Sequence, residues 1–182
     1  MVEAIRTRMS ATEFFEMPET TLPTELIDGV MIQMNAPADG HQRALMRLIA
    51  ALLPLLPPGE FRCAPADVCL DAYNVVQPDL FWVRAENPAC RVEGGKWMGV
   101  PDFIVEILSP GTARRDRKDK FGLYEQHGVG EYWLVDPDGE YVEVYRLQEG
   151  VFVKVGVFGP EERFESATLG GKPVSLSAVF AP

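Results

Sequence analysis

Seven consecutive residues, Asp102-Phe103-Ile104-Val105-Glu106-Ile107-Leu108, constrain the fold of this 182-residue chain more than any others. The run is short, apolar and β-branched, which reads as a central strand buried on both faces. Ser109-Pro110-Gly111-Thr112 ends it, a helix is predicted over residues 113–127, and Gly128 stands where a left-handed glycine closes a helix. Glu131-Tyr132-Trp133-Leu134-Val135-Asp136 reads as another strand. Strand, helix, strand in this order forms a βαβ unit, which requires a right-handed crossover and a parallel pair.

The flanking segments extend that unit. Asp28-Gly29 between Thr24-Glu25-Leu26-Ile27 and Val30-Met31-Ile32-Gln33-Met34 is a two-residue hairpin signal. Ser10-Ala11-Thr12-Glu13 fits a capping box opening a short helix. Leu45, Leu48, Ile49 and Leu52 recur at helical spacing over residues 41–53, and Pro54 ends that run. Residues 61–71 and 75–83 read as two strands joined by a turn at Ala72-Tyr73-Asn74. Residues 84–97, with Pro88 and Gly94-Gly95, read as a loop. Pro137-Asp138-Gly139 turns into the alternating strand over residues 141–147, followed by short antiparallel strands and loops. The expected class is α/β (α+β): a mixed β-sheet flanked by helices, with an N-terminal β-hairpin. Neither a repeat nor a long linker divides the chain, so residues 1–182 are expected to form a single domain.

Charge narrows the function. Twenty-seven acidic against 17 basic side chains give a net charge of −10. That excludes a protein whose whole surface tracks nucleic acid, since such affinity comes from Lys and Arg neutralising phosphates, but it leaves room for a local cationic site. Arg114-Arg115-Asp116-Arg117-Lys118-Asp119-Lys120 is the one dense basic run, either a solvated helix face or a phosphate-contacting surface. Three scattered cysteines make no disulfide framework and suit a reducing compartment. The opening MVEAIRTRMSATEFFE has no apolar core of a secretory signal. The longest apolar stretch, residues 44–56, is too short to span a bilayer and contains Arg47 and Pro54. A cytoplasmic location without membrane contact is expected.

Glu106 is the carboxylate in the wrong place. It shares strand parity with Ile104 and Leu108, opposite Phe103, Val105 and Ile107, so both of its neighbours on that face are apolar. A buried carboxylate is costly unless it is paired, hydrogen-bonded or bound to a metal; a strand end open to solvent or a structural ion pair are the plainer readings. Asp79 is set among apolar residues in Gln77-Pro78-Asp79-Leu80-Phe81-Trp82-Val83, where Pro78 marks an edge or a bulge. On adjacent strands, Asp79 and Glu106 could converge on Mg²⁺, which takes one or two protein carboxylates, waters and substrate phosphate. Asp116, Lys120 and Tyr124 follow at i, i+4 and i+8 along one helical stripe. Lys120 could reach back to the scissile phosphate or a metal-bound water; a surface ion pair and a packed aromatic are the alternatives. Cys63 and Cys69 read as small core residues and His127 as a partner of the helix macrodipole; His41 could approach the site, but a helix-start residue with a local hydrogen bond is the favoured reading.

These elements resemble the Uma2 family, within the PD-(D/E)xK nuclease superfamily. The resemblance is carried by Glu25-Leu26-Ile27-Asp28-Gly29, His41, Gln77-Pro78-Asp79-Leu80, the 102–110 run, Asp116…Lys120…Tyr124, and Gly128-Val129-Gly130-Glu131-Tyr132-Trp133-Leu134-Val135-Asp136-Pro137. It implies a restriction-endonuclease-like core and metal-dependent cleavage of DNA phosphodiester bonds. Asp79 and Glu106 match the metal ligands, for Mg²⁺ or Mn²⁺. The superfamily usually carries lysine two residues after the glutamate, a position occupied here by Leu108, and Lys120 on the following helix is the matching candidate. Glu25, Gln77, Asp116 and Tyr124 are accessory candidates, with a structural ion pair as the equal alternative for Glu25; Arg114, Arg115, Arg117 and Lys118 are candidates for the nucleic-acid backbone. Two other classes compete: a non-catalytic nucleic-acid or protein-interaction module retaining the fold, and a hydrolase using Asp79 and Glu106 as an acid–base pair. A homodimer through faces carrying Tyr141 and Tyr145 is one expectation, and packing of those rings on the molecule's own core is the other.

Overall fold

A β-strand with both faces covered organises the molecule, as a computed structural model describing residues 8–18 and 20–181 shows. The first part of the stretch read for a leader, residues 1–7, lies outside the described residues. Ser10 caps α1 (Ala11–Phe15): its hydroxyl accepts from the Glu13 N–H at 3.2 Å, and the Glu13 carboxylate accepts from the Ser10 N–H at 2.7 Å. β1 (Thr24–Ile27) and β2 (Val30–Gln33) form the expected hairpin, with φ of 52° at Asp28 and 74° at Gly29. Positive φ at both central residues is the type I′ geometry that matches strand twist. α2 (Asp39–Leu52) buries Leu45, Leu48 and Leu52.

The next segment departs from its sequence reading. The two runs expected as continuous strands each break, giving β3 (Gly59–Cys63), β4 (Val68–Asp71), β5 (Asn74–Val76) and β6 (Leu80–Arg84). β3 pairs with β6 in one sheet, whereas β4 pairs with β5 in another. The chain therefore changes sheets at residues 64–67 and again at 77–79. Pro78 sits at the second change, where no ladder N–H is needed. Residues 84–97 hold a hairpin, β7 (Arg91–Glu93) and β8 (Lys96–Met98), where a loop was expected. Gly94 and Gly95, with φ of 56° and 81°, supply its turn.

β9 (Phe103–Ile107) is buried throughout. It leads into α3 (Ala113–Arg115), a π-helical turn over Asp116–Lys120, and α4 (Phe121–His127), which Gly128 closes at φ 85°. β10 (Glu131–Asp136) lies parallel to β9. β11 (Tyr141–Gln148), β12 (Val151–Phe158), β13 (Arg163–Ser166) and β14 (Lys172–Ser175) complete the chain. Among the described residues the sheets run β2-β1-β5-β4-β8-β7, β12-β11-β10-β9-β6-β3 and β13-β14. This is a mixed α+β fold.

The alternation read from β9 is realised. Phe103, Val105 and Ile107 join the α2 leucines in one apolar cluster; Ile104 and Leu108 join Leu123 and Tyr124 of α4 in another. Glu106 shares the parity of Ile104 and therefore faces the α4 side. Cys69 and Cys90 are buried, but Cys63 is exposed, because β3 forms the edge of its sheet. Tyr141 and Tyr145 find partners within the molecule: Arg117 donates to the Tyr141 hydroxyl at 2.8 Å, and Tyr145 packs edge-on to Phe121 at 4.9 Å. Among the described residues no helix is long and apolar enough to cross a membrane.

Glu143 on β11 shows how this surface is tied together. It accepts hydrogen bonds from Lys154 and Tyr145, both at 2.6 Å, and from Arg117. Burial alone would push its carboxyl up, yet these donors outweigh burial and hold it at about 2. A depressed carboxylate stabilises the fold above its unfolded value of 4.5, and that contribution is lost as pH falls towards 2. Glu143→Gln is therefore expected to lower stability at pH 7 by on the order of 1 kcal/mol, since its cationic partners are partly exposed. In urea titrations the gap to the parent should close between pH 4.5 and pH 2.

Candidate functional site

Leu80 of β6 pairs with Val105 of β9, and continuing this antiparallel register by one step sets Asp79 opposite Glu106. The two carboxylates expected on adjacent strands are thus neighbours at one end of the sheet. Asp79 Oδ2 accepts from the Ile107 N–H at 2.7 Å and lies 3.1 Å from His41 Nε2. Glu106 Oε1 accepts from Lys120 Nζ at 2.9 Å and from the Tyr124 hydroxyl at 2.6 Å. Among the described residues nothing donates to Asp79 Oδ1 or Glu106 Oε2.

Lys120 comes to Glu106 through space. Leu108, at the sequence position usual for a nuclease lysine, is buried in the apolar cluster under α4. The π-helical turn brings Lys120 inward, with Nζ 2.7 Å from Glu25 Oε1 and 4.0 Å from Asp116 Oδ1. Glu25 Oε1 also accepts from the Gln77 N–H at 2.8 Å, which ties β1 to the sheet change at residue 77.

The electrostatics follow from crowding three carboxylates, Glu25, Glu106 and Asp116, around one ammonium, with Asp79 nearby. Burial raises the Glu106 carboxyl well above its ordinary value; Lys120 opposes this, while Asp116, Asp79 and Glu25 reinforce it. Burial likewise raises Asp116, against Lys120 and the Thr112 hydrogen bond. Burial works against the charge on Lys120, but Glu106, Glu25 and Asp116 prevail and hold it protonated. Tyr124 is kept neutral by burial and by Glu106 and Glu25, so its hydroxyl donates. Burial also opposes the charged form of His41, yet Asp79 and Asp116 raise its imidazole above 6.5.

A cavity of about 530 Å³ opens over this cluster. Gln77, Asp79, Glu106, Arg115, Asp116 and Lys120 line it, together with His41. Glu25 and Tyr124 stand behind, touching Lys120 and Glu106. The other basic candidates are elsewhere: Arg114 and Lys118 are exposed on the helix, and Arg117 is bonded to Glu143 and Tyr141. His41 takes the less favoured of its two expected places, an approach to the site. Its partner is Asp79, not its own helix start, because it heads the inward stripe shared with Leu45, Leu48 and Leu52; that spacing was the available signal. His127 bridges Leu123 O at 2.8 Å and Asp71 at 2.9 Å, away from the cavity.

Six buried side-chain polar atoms have no hydrogen-bond partner among the described residues. Three of them, His41 Nδ1, Gln77 Oε1 and Arg115 Nη1, belong to cavity-lining residues, and a fourth, Glu25 Oε2, lies 4.0 Å from Arg115 Nη1. Unpaired buried polar groups are rare in folded proteins, and their concentration at one cavity marks a place where polar groups are held ready for something other than the chain itself.

Comparison with known proteins places the chain in a family. Uncharacterized protein sll1609 of Synechocystis sp. (strain ATCC 27184 / PCC 6803 / Kazusa) is 29% identical over 152 residues, covering 80% of this chain and 85% of that protein. A crystal structure from Anabaena variabilis ATCC 29413, described as a putative nuclease belonging to DUF820, superposes with a TM-score of 0.73 at 23% identity. It covers 95% of this chain and 98% of its own. The Uma2 family, described as "Putative restriction endonuclease", matches residues 11–175. From the capped first helix to the last strand, this chain belongs to the Uma2 family.

Proposed function

We propose that the protein is a metal-dependent endonuclease that hydrolyses DNA phosphodiester bonds, with Asp79 and Glu106 holding Mg²⁺ or Mn²⁺. The observation that carries this reading is the pair of carboxylates brought to one cavity, Asp79 just before β6 and Glu106 on the adjacent β9, each with one oxygen that no described residue engages. Among the described residues no three His, Cys, Asp or Glu side chains form a ready-made metal cluster. Two carboxylates nevertheless suit Mg²⁺, which keeps waters and takes substrate oxygens for its remaining positions. A buried carboxyl whose charge is disfavoured, as in Glu106, gains a counter-charge when a cation arrives. The family description and the nuclease fold support the same chemistry.

When bound, such an ion lowers the pKa of a coordinated water and polarises a phosphoryl oxygen. The chain's own residues do the rest. His41 and the Ile107 N–H fix one oxygen of Asp79 so that the other faces the cavity. Lys120 and Tyr124 do the same for Glu106; Glu25 and Asp116 hold Lys120 in place, and the Gln77 N–H holds Glu25. In the reaction, the water oxygen bonds to phosphorus while the bond from phosphorus to the leaving sugar oxygen breaks with its electron pair. The water gives its proton to solvent, and the leaving oxygen takes one.

Supercoiled plasmid and oligonucleotide substrates test the reading. Nicking or cutting is expected with Mg²⁺ or Mn²⁺ and should stop in EDTA. No turnover across single- and double-stranded substrates, with calorimetry still detecting nucleic-acid binding, would instead leave a binding module that keeps the nuclease fold.

A further inference from the structure

Lys120 is the obvious cation for a nuclease site, yet its charge is already matched. Nζ sits 2.7 Å from Glu25 and 2.9 Å from Glu106, with Asp116 at 4.0 Å, and the side chain is 3% exposed. Three carboxylates surround one ammonium, so little of its field remains for an arriving phosphate. Arg115, one residue before the π-helical turn, differs on each count. It lines the same cavity, its side chain is 21% exposed, and its buried Nη1 has no hydrogen-bond partner among the described residues. Among the described residues the nearest carboxylate oxygen, Glu25 Oε2, is 4.0 Å away, beyond hydrogen-bonding distance, and is itself without a donor.

We propose that Arg115 is the catalytic residue that grips the non-bridging oxygens of the scissile phosphate, and that Lys120 is a positioning residue for Glu106 and Glu25. The inference rests on the nuclease reading and assigns the substrate contact within it. A guanidinium presents a planar fork matched to two phosphate oxygens, and in phosphoryl transfer those equatorial oxygens carry the developing charge. An unpaired donor on a side chain that lines the cavity is preorganised for that contact, because no existing hydrogen bond has to break when the phosphate enters. The adjacent basic residues cannot substitute for it: Arg117 is engaged by Glu143, and Arg114 and Lys118 point to solvent.

Single-turnover cleavage of DNA by the full chain, at saturating DNA and Mg²⁺, tests the assignment. Arg115→Gln is expected to cut about 10²–10³-fold more slowly, with the melting temperature and the calorimetric Mg²⁺ affinity unchanged; Arg115→Lys should fall between it and the parent. Parent-like rates in Arg115→Gln would overturn the inference and leave the nuclease reading standing. A slow variant that has also lost Mg²⁺ affinity or thermal stability would overturn it too, by making Arg115 a structural partner of Glu25. A parent chain that cuts nothing with Mg²⁺ or Mn²⁺ removes the nuclease reading, and the inference with it.

Discussion

Asp79→Asn should eliminate metal-supported cleavage while leaving the fold intact, lowering the rate by about 10³-fold or more. The substitution is almost isosteric. The retained amide oxygen can still accept from the Ile107 N–H, which now bonds Asp79 Oδ2 at 2.7 Å, so the end of β9 stays anchored. What disappears is the anionic oxygen facing the cavity. Charge stabilisation by a catalytic metal is worth several kcal/mol, and each 1.36 kcal/mol is roughly tenfold in rate, which sets the scale of the loss. Initial rates of plasmid nicking, paired with circular dichroism and Mn²⁺ calorimetry, separate the outcomes. A folded Asp79→Asn protein that cuts at the parent rate would remove Asp79 from the reaction.

The largest stability effect should come from Lys120→Met. Removing one partner from a buried charge cluster leaves its counter-charges uncompensated, at a cost of about 3–5 kcal/mol. For a chain of this length that lowers the melting temperature by about 6–20 °C. The pH dependence identifies the cause. Glu106 and Asp116 already titrate above their ordinary values in the folded protein, chiefly through burial, and losing Lys120 removes the influence that holds them down. A raised carboxyl penalises the folded state above its unfolded value, 4.5 for Glu106, and the penalty fades as pH falls towards that value. The deficit of Lys120→Met should therefore be widest near neutrality and narrow on acidification. Adding Glu106→Gln should recover part of it, a coupling that a pair of independent sites would not show. A deficit that is constant from pH 7 to pH 5 would mean that lost packing, not charge, is responsible.

Much of this architecture is legible wherever local chemistry decides it. Ser10 with Glu13, Asp28-Gly29 and Gly128 each satisfy a backbone requirement by themselves, and the alternation in β9 is enforced by cover on both faces. The stripe of Asp116, Lys120 and Tyr124 likewise announces one helical face, and all three side chains meet at or behind the cavity. Elsewhere the determinants are non-local. Residues 61–71 and 75–83 are apolar on both sides of their breaks, so periodicity cannot mark where the chain leaves one sheet for the other. Pro78 records only that no ladder bond is needed there. The glycines that suggest a loop at residues 94 and 95 are the turn of a hairpin whose strands contain only three residues each. His41 follows the same logic: its partner Asp79 is 38 positions away, and only its alignment with the leucine stripe of α2 hints at it.

The π-helical turn between α3 and α4 has a consequence for how the site tolerates change. An ordinary α-helix is a rigid shaft, in which rotating one end by a residue rotates the other by about 100°. Here the wider turn acts as a coupling between two short shafts. α4 keys Leu123 and Tyr124 into the sheet, while α3 carries Arg115 at the cavity. Shortening the 116–120 stretch by a single residue would restore one continuous shaft. The guanidinium would then swing off the cavity even though every helix–sheet contact of α4 remained in register.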